Sequence, residues 1–173
     1  MKGEIINRVA TSNLLQIDLE DWYPKGERLG FDITDFLYEG LILKELDFRS
    51  ALKVHDWKLY EDSFVAVFCS ADAIVPTWAF MLITQYLSEK ANRIFFTKPE
   101  QINEFLYQQI IDNLDIENYR DQKVIVKGCS KLPVPISAYI AITAKLRPVV
   151  QSLMFGESCS NVPLYKKKKV VSE

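Results

Sequence analysis

The sequence predicts an α/β protein: a single domain over residues 1–165, three layers deep, around a mostly parallel sheet. Two observations predict it. Three short runs rich in Val, Ile and Phe, at 64–69, 93–97 and 123–127, have strand composition. Each is followed by a stretch with helical character that opens at a proline: Pro76, Pro99 or Pro135. Alternating strands and helices give a βαβαβα core with right-handed crossovers, and residues before 60 add N-terminal edge strands and a covering helix.

Taken in order, LLQIDL (14–19) reads as a short strand that ends in the acidic turn Glu20–Asp21 ahead of Pro24. Residues 31–38 and 41–46 are β-leaning or mixed runs separated by Gly40. Asp47 is the expected N-cap of FRSALKVHDW, with Phe48, Leu52 and His55 on one helix face. FVAVFC is a buried strand, and 76–90 a helix apolar enough to lie beneath other elements. RIFFT is the next strand. The helix from Pro99 sets Ile102, Phe105, Leu106 and Ile110 on one side. KVIVK ends at Gly128, and a helix spans 135–146. Pro148 breaks it, and a short helix then runs to Phe155 before Gly156. Residues 166–173 read as a lysine-rich flexible tail.

With 49% hydrophobic and 25% charged residues, the composition belongs to a folded globular chain. The net charge of −2 lacks the basic footprint that phosphate contacts require, so nucleic acid is not an expected partner. No window approaches the ~18 apolar residues of a membrane span, and the N-terminus has no apolar signal core. The expectation is a cytoplasmic protein with reduced thiols and no membrane partner. An unidentified protein partner or a homodimer remains open.

The three cysteines carry the chemical signal. CSADAIVP, CSKLPVP and CSNVP begin at Cys69, Cys129 and Cys159, and each pairs Cys-Ser with a following Val-Pro. The first two continue alike, as Val75-Pro76-x-x-Ala79-Phe80 and Val134-Pro135-x-x-Ala138-Tyr139. Ligand crevices form at the carboxyl ends of parallel strands. If strands 64–69 and 123–128 are neighbours, Cys69 and Cys129 meet there beside helix N-termini that favour thiolate. The third copy, with no obvious strand before it, would return over the same edge. With His55, the only histidine, the set becomes Cys3His, suited to zinc or an iron–sulfur cluster. Asp56 and Asp72 are weaker fourth ligands. Ser70, Ser130 and Lys131 are candidates to contact an anion or cofactor in the same crevice, and Asp18, Glu20 and Asp21 to hold a hard cation. The alternative for every cysteine is burial as a small hydrophobe.

The strings IDLEDWYPKGER, DFLYEGLILKELDFR, HDW, CSADAIVPTWA, KGCSKLPVP and GESCSNVP resemble a bacterial family catalogued as domain of unknown function 2480. That resemblance runs to about Tyr165 and implies company with iron–sulfur assembly components. Three functions follow as expectations. One is an accessory protein with a Cys/His metal site, linked to iron–sulfur or sulfur handling. Another is a thiol enzyme or persulfide carrier. The third is a non-catalytic binding or assembly module whose cysteines pack.

Overall fold

The computed structural model describes residues 14–128 and 131–168. In chain order the strands are β1 (Leu14–Ile17), β2 (Arg28–Asp32), β3 (Phe64–Phe68), β4 (Arg93–Phe96), β5 (Lys123–Val126), β6 (Ser152–Glu157) and β7 (Ser160–Lys166). The α-helices are α1 (Glu45–Val54), α2 (Thr77–Leu87), α3 (Ile102–Asp112) and α4 (Ile136–Leu146). The α/β class with parallel pairing holds. The strands are shared between two sheets, β2-β3-β4 and β1-β5-β6-β7, and the expected N-terminal edge strands are β2 and β1.

The chain divides into two compact units: a continuous one, Pro24–Ile102, and a split one, Met1–Tyr23 with Asn103–Glu173. In the continuous unit β2, β3 and β4 are parallel, with Arg28 opposite Phe64 and Phe64 opposite Arg93. Val65 and Val67 face a core made by Phe31, Ile33, Phe48, Leu52 and the α2 residues Ala79, Ile83 and Leu87. In the split unit β1, β5 and β6 repeat that order, and β7 adds an antiparallel strand beyond β6. Its core joins Val124 and Val126 to Tyr107, Ile111 and the α4 residues Ala138, Ile142 and Leu146. The spacing i, i+4, i+8 puts each helical triplet on one face.

The two units are copies of one design. Asp56 and Asp115 each cap a 3-10 turn, accepting from the amides of Lys58 (3.1 Å) and Glu117 (3.0 Å). Asp62 and Asp121 both take φ 55, a left-handed turn that aspartate tolerates. Their amides donate to Lys90 and Val149 across the same gap. Even the aromatic pairs match: Phe80 meets Phe96 edge-on at 5.3 Å, and Tyr139 meets Phe155 edge-on at 5.8 Å. The duplication extends the Val-Pro-x-x-Ala-aromatic echo to a whole unit, whose second copy is interrupted by the first.

Four local expectations change. The segment before Gly156 is not a helix but β6, because Leu153 fills the core while Met154 and Phe155 pair across to β7. The helix α1 starts at Glu45, with Lys44 rather than Asp47 before it, and His55 follows its last turn. Residues 31–38 are only partly strand, since Asp32 turns the chain into a 3-10 helix, Ile33–Phe36. The lysine run begins inside the sheet: Lys166 ends β7, and Lys167 pairs with Asp121 at 2.8 Å.

Equivalent core positions should cost alike. Ile83→Ala and Ile142→Ala, both fully buried, are each expected to lose about 3 kcal/mol in urea unfolding. A loss below about 1 kcal/mol for either would contradict the matched cores.

Candidate functional site

The site candidates gather where the first and second strands of each unit end. In the continuous unit, Asp32 closes β2, and its Oδ1 accepts from the amides of Thr34 and Ser70, both at 3.0 Å. Thr34 Oγ1 accepts from the amides of Ser70 and Ala71, each at 3.0 Å, and lies 3.1 Å from Ser70 Oγ. Burial raises the Asp32 carboxyl. The Ser70 hydroxyl, the Thr34 and Ser70 amides and the Thr34 hydroxyl outweigh it and hold the group below its ordinary value.

Cys69 leaves β3 into this corner half-buried, its Sγ 3.4 Å from Thr34 Oγ1 and donating to the Ala71 carbonyl at 3.5 Å. These contacts, with its packing against the core of the continuous unit, fit the role of a small apolar residue with a weak donor.

The split unit builds the same corner from different groups. Asp18 Oδ1 caps the next turn through the Glu20 amide at 3.0 Å, and its Oδ2 pairs with Lys127 Nζ at 2.8 Å. Burial raises the Asp18 carboxyl, but the Lys127 ammonium and the Glu20 amide bring it below the usual carboxylate range. Glu20 Oε1 stands where Thr34 stands, accepting from the amides of Lys131 and, at 2.7 Å, Leu132. The Lys131 backbone amide is thus met by a carboxylate of the same chain. Asp18 and Glu20, read as cation ligands, are engaged with an ammonium and two amides.

The cysteine motifs are not equivalent in three dimensions. In the register that superposes Pro76 on Pro135, Cys69 falls on Gly128, where an added Cβ would meet the Phe155 ring at 2.6 Å. β3 and β5 belong to different sheets, so Cys69 and Cys129 do not follow neighbouring strands. Cys129 and Ser130 lie outside the described residues. Cys159 is exposed in the two-residue turn between β6 and β7, and Val162-Pro163 is strand rather than a helix start. Among the described residues, no group of three or more His, Cys, Asp or Glu side chains is placed to hold a metal ion.

His55 is boxed by aromatic rings: Trp57 at 4.7 Å, Phe31 at 5.3 Å, Tyr60 at 5.8 Å and Phe36 at 5.9 Å. Its Nε2 lies 3.3 Å from Tyr60 Oη. Burial lowers its pKa below 6.5, against the pull of Asp56. The imidazole serves as a neutral, stacked core edge.

A feature the cysteine pattern did not point to is an apolar cleft of about 410 Å³ between α2 and β4, lined by Val67, Thr77, Phe80, Thr84, Ile94 and Phe96. Phe96 is 77% exposed. The signal for it was RIFFT, whose three apolar residues cannot all point inward from an edge strand. No helix of the described residues is long and apolar enough to cross a membrane.

The family described as Protein of unknown function (DUF2480) matches residues 3–167. Comparisons with curated proteins and with solved structures returned no match.

Thr34→Val removes the acceptor for two amides. Faster hydrogen exchange at Ser70 and Ala71 is expected, with a loss of about 1–2 kcal/mol and faster alkylation of Cys69. Unchanged exchange would show that Thr34 does not hold the loop. Because His55 has a folded pKa below its ordinary 6.5, the unfolded chain takes the proton first. Stability should fall as pH drops through 6.5 and level off below the folded pKa. Melting curves of His55→Gln should lack this component, and an identical pH slope in both proteins would contradict it.

Proposed function

We propose that this protein, which belongs to the DUF2480 family, is a binding and assembly module whose cysteines and histidine serve packing. The observation that carries the reading is the apolar cleft beside β4, with Phe96 77% exposed at its rim. An aromatic left in water at an edge strand forgoes about 2 kcal/mol of burial, which contact with a partner returns. Isolated exposed apolar residues are common, but here Phe96 lines the cleft and meets Phe80 edge-on at 5.3 Å.

The contacts of Cys69 and His55 support the same reading. A thiol donating to the Ala71 carbonyl and an imidazole stacked on Tyr60 and edge-on to three further rings are groups committed to structure. A cytoplasmic setting, where thiols stay reduced, suits both Cys69 and the exposed Cys159.

Cys69→Ala is expected to fold, to lose about 1 kcal/mol, and to leave indole binding at the cleft unchanged by NMR titration. Thr84→Trp, which fills the cleft, should abolish that binding. The metal reading of Cys69, Cys129, Cys159 and His55 makes the opposite demand. One equivalent of zinc or iron in anaerobically purified protein, lost in Cys69→Ala, would overturn the module reading.

A further inference from the structure

The constant shift in numbering that carries Asp56 onto Asp115 and Ala79 onto Ala138 also pairs α1 with α3 and α2 with α4. Position by position, what one copy places between its two helices can be set against what the other places there. In the continuous unit the space between α1 and α2 is filled. The Trp78 indole meets Phe48 edge-on at 6.0 Å, with the Arg49 guanidinium 5.5 Å from its ring centre. Leu82 follows one turn on, and Tyr86, a turn further, stacks on Trp57 at 4.8 Å. All three α2 side chains pack against the core of that unit.

In the split unit the counterparts of Trp78, Leu82 and Tyr86 are Ser137, Ala141 and Lys145. Two rings and a branched chain become a hydroxyl, a methyl and a flexible ammonium. A groove of about 490 Å³ lies there, walled on the α3 side by Gln108, Ile111 and Asp112. That volume is in the range of small-molecule sites, which combine an apolar lining with a few polar groups. Ile111 is fully buried beneath it. At the rim, Gln108 Nε2 donates to Asp112 Oδ1 at 2.8 Å, and Lys145 Nζ donates to the Asp112 carbonyl. Ser137 Oγ is buried and, among the described residues, has no hydrogen-bond partner. A buried hydroxyl left unpaired is a cost that a ligand can relieve.

We propose that the α3–α4 groove of the split unit binds a small planar nitrogen heteroaromatic, which takes the place that the Trp78 indole holds in the continuous unit. The ring lies between the helices on Ile111 and Ala141, and its nitrogen meets Ser137 Oγ. A serine hydroxyl accepts from a ring N–H and donates to a bare ring nitrogen, so both kinds of heterocycle suit it. Lys145, on its flexible stem, covers the ring from the α4 side, as Arg49 covers Trp78 from the α1 side. Ile140, which lines the groove and is 66% exposed, loses water to the bound ring. The proposal draws nothing from the cleft beside β4, and either site can fail alone.

An NMR titration of the full chain with indole, read at individual amides, tests this and keeps the two sites apart. Saturable shifts at Ile111, Ser137 and Ala141 are expected, separate from those at Thr84 and Phe96 beside β4. Ser137→Trp, which supplies the side chain of the continuous unit, should fold with an unchanged or raised melting temperature and lose the shifts at Ile111 and Ala141. Ala141→Leu is a smaller step in the same direction, and serves if Ser137→Trp does not fold. It narrows the groove and should weaken binding about tenfold. Ser137→Ala should weaken binding about fivefold, the worth of one neutral hydrogen bond. Amides at Ile111 and Ala141 that stay unmoved up to millimolar indole overturn the proposal, as do shifts that survive Ser137→Trp or an affinity indifferent to Ala141→Leu. Equal affinity in Ser137→Ala overturns the ring nitrogen as the group recognised.

Discussion

The Asp32 carboxylate ties the end of β2 to the loop after β3 by accepting from the amides of Thr34 and Ser70. Thr34, placed by that turn, takes the Ser70 amide as well and the Ala71 amide in addition. Backbone donors leaving a strand must find acceptors, and here one Asp-x-Thr step supplies them before the chain reaches α2. In the split unit Asp18 and Glu20 do the same work with charge, adding Lys127 as counter-ion. The position of α2 and α4 over their sheets depends on these clamps. Each fixes where a parallel strand gives way to its crossover helix.

The clamp decides what the cysteine at the corner is for. With Thr34 filling the loop amides, Cys69 Sγ lies beside Thr34 Oγ1 and donates a hydrogen bond to the Ala71 carbonyl. The corresponding place in the split unit is Gly128, because the Phe155 ring occupies the space of a Cβ. A repeat that tolerates cysteine in one copy and nothing beyond hydrogen in the other is tuned by packing. The units differ at their edges, where β7 adds a fourth strand beside β6 and, among the described residues, β4 ends a sheet of three.

Much of the fold was legible in the residues. FVAVFC, RIFFT and KVIVK are strands, and the prolines at 76 and 135 mark helix starts, since composition and ring geometry act locally. The chemical signal of the cysteines misled through spacing. Cys-Ser precedes Val-Pro by different lengths at 69 and 129, so aligning the cysteines shifts the loops by one residue relative to the helices. The third motif was read with no strand before it, but β6 precedes it and pairing with β6 draws Val162-Pro163 into a strand at an edge that tolerates proline. The duplication was hidden because its marks are single residues: the capping Asp56 and Asp115, the turn residues Asp62 and Asp121, and the buried Ala79 and Ala138. The first strand of the split unit, β1, also stands far in sequence from α3, β5 and β6, so no contiguous repeat exists to be read.

Amide hydrogen exchange at Thr34 and Ser70 in Asp32→Ala tests the account most directly, since both amides donate to Asp32 Oδ1. The prediction is faster exchange at both amides than in the wild type, with the rest of β2 and β3 unchanged. Exchange at both amides equal to that of the wild type would contradict it.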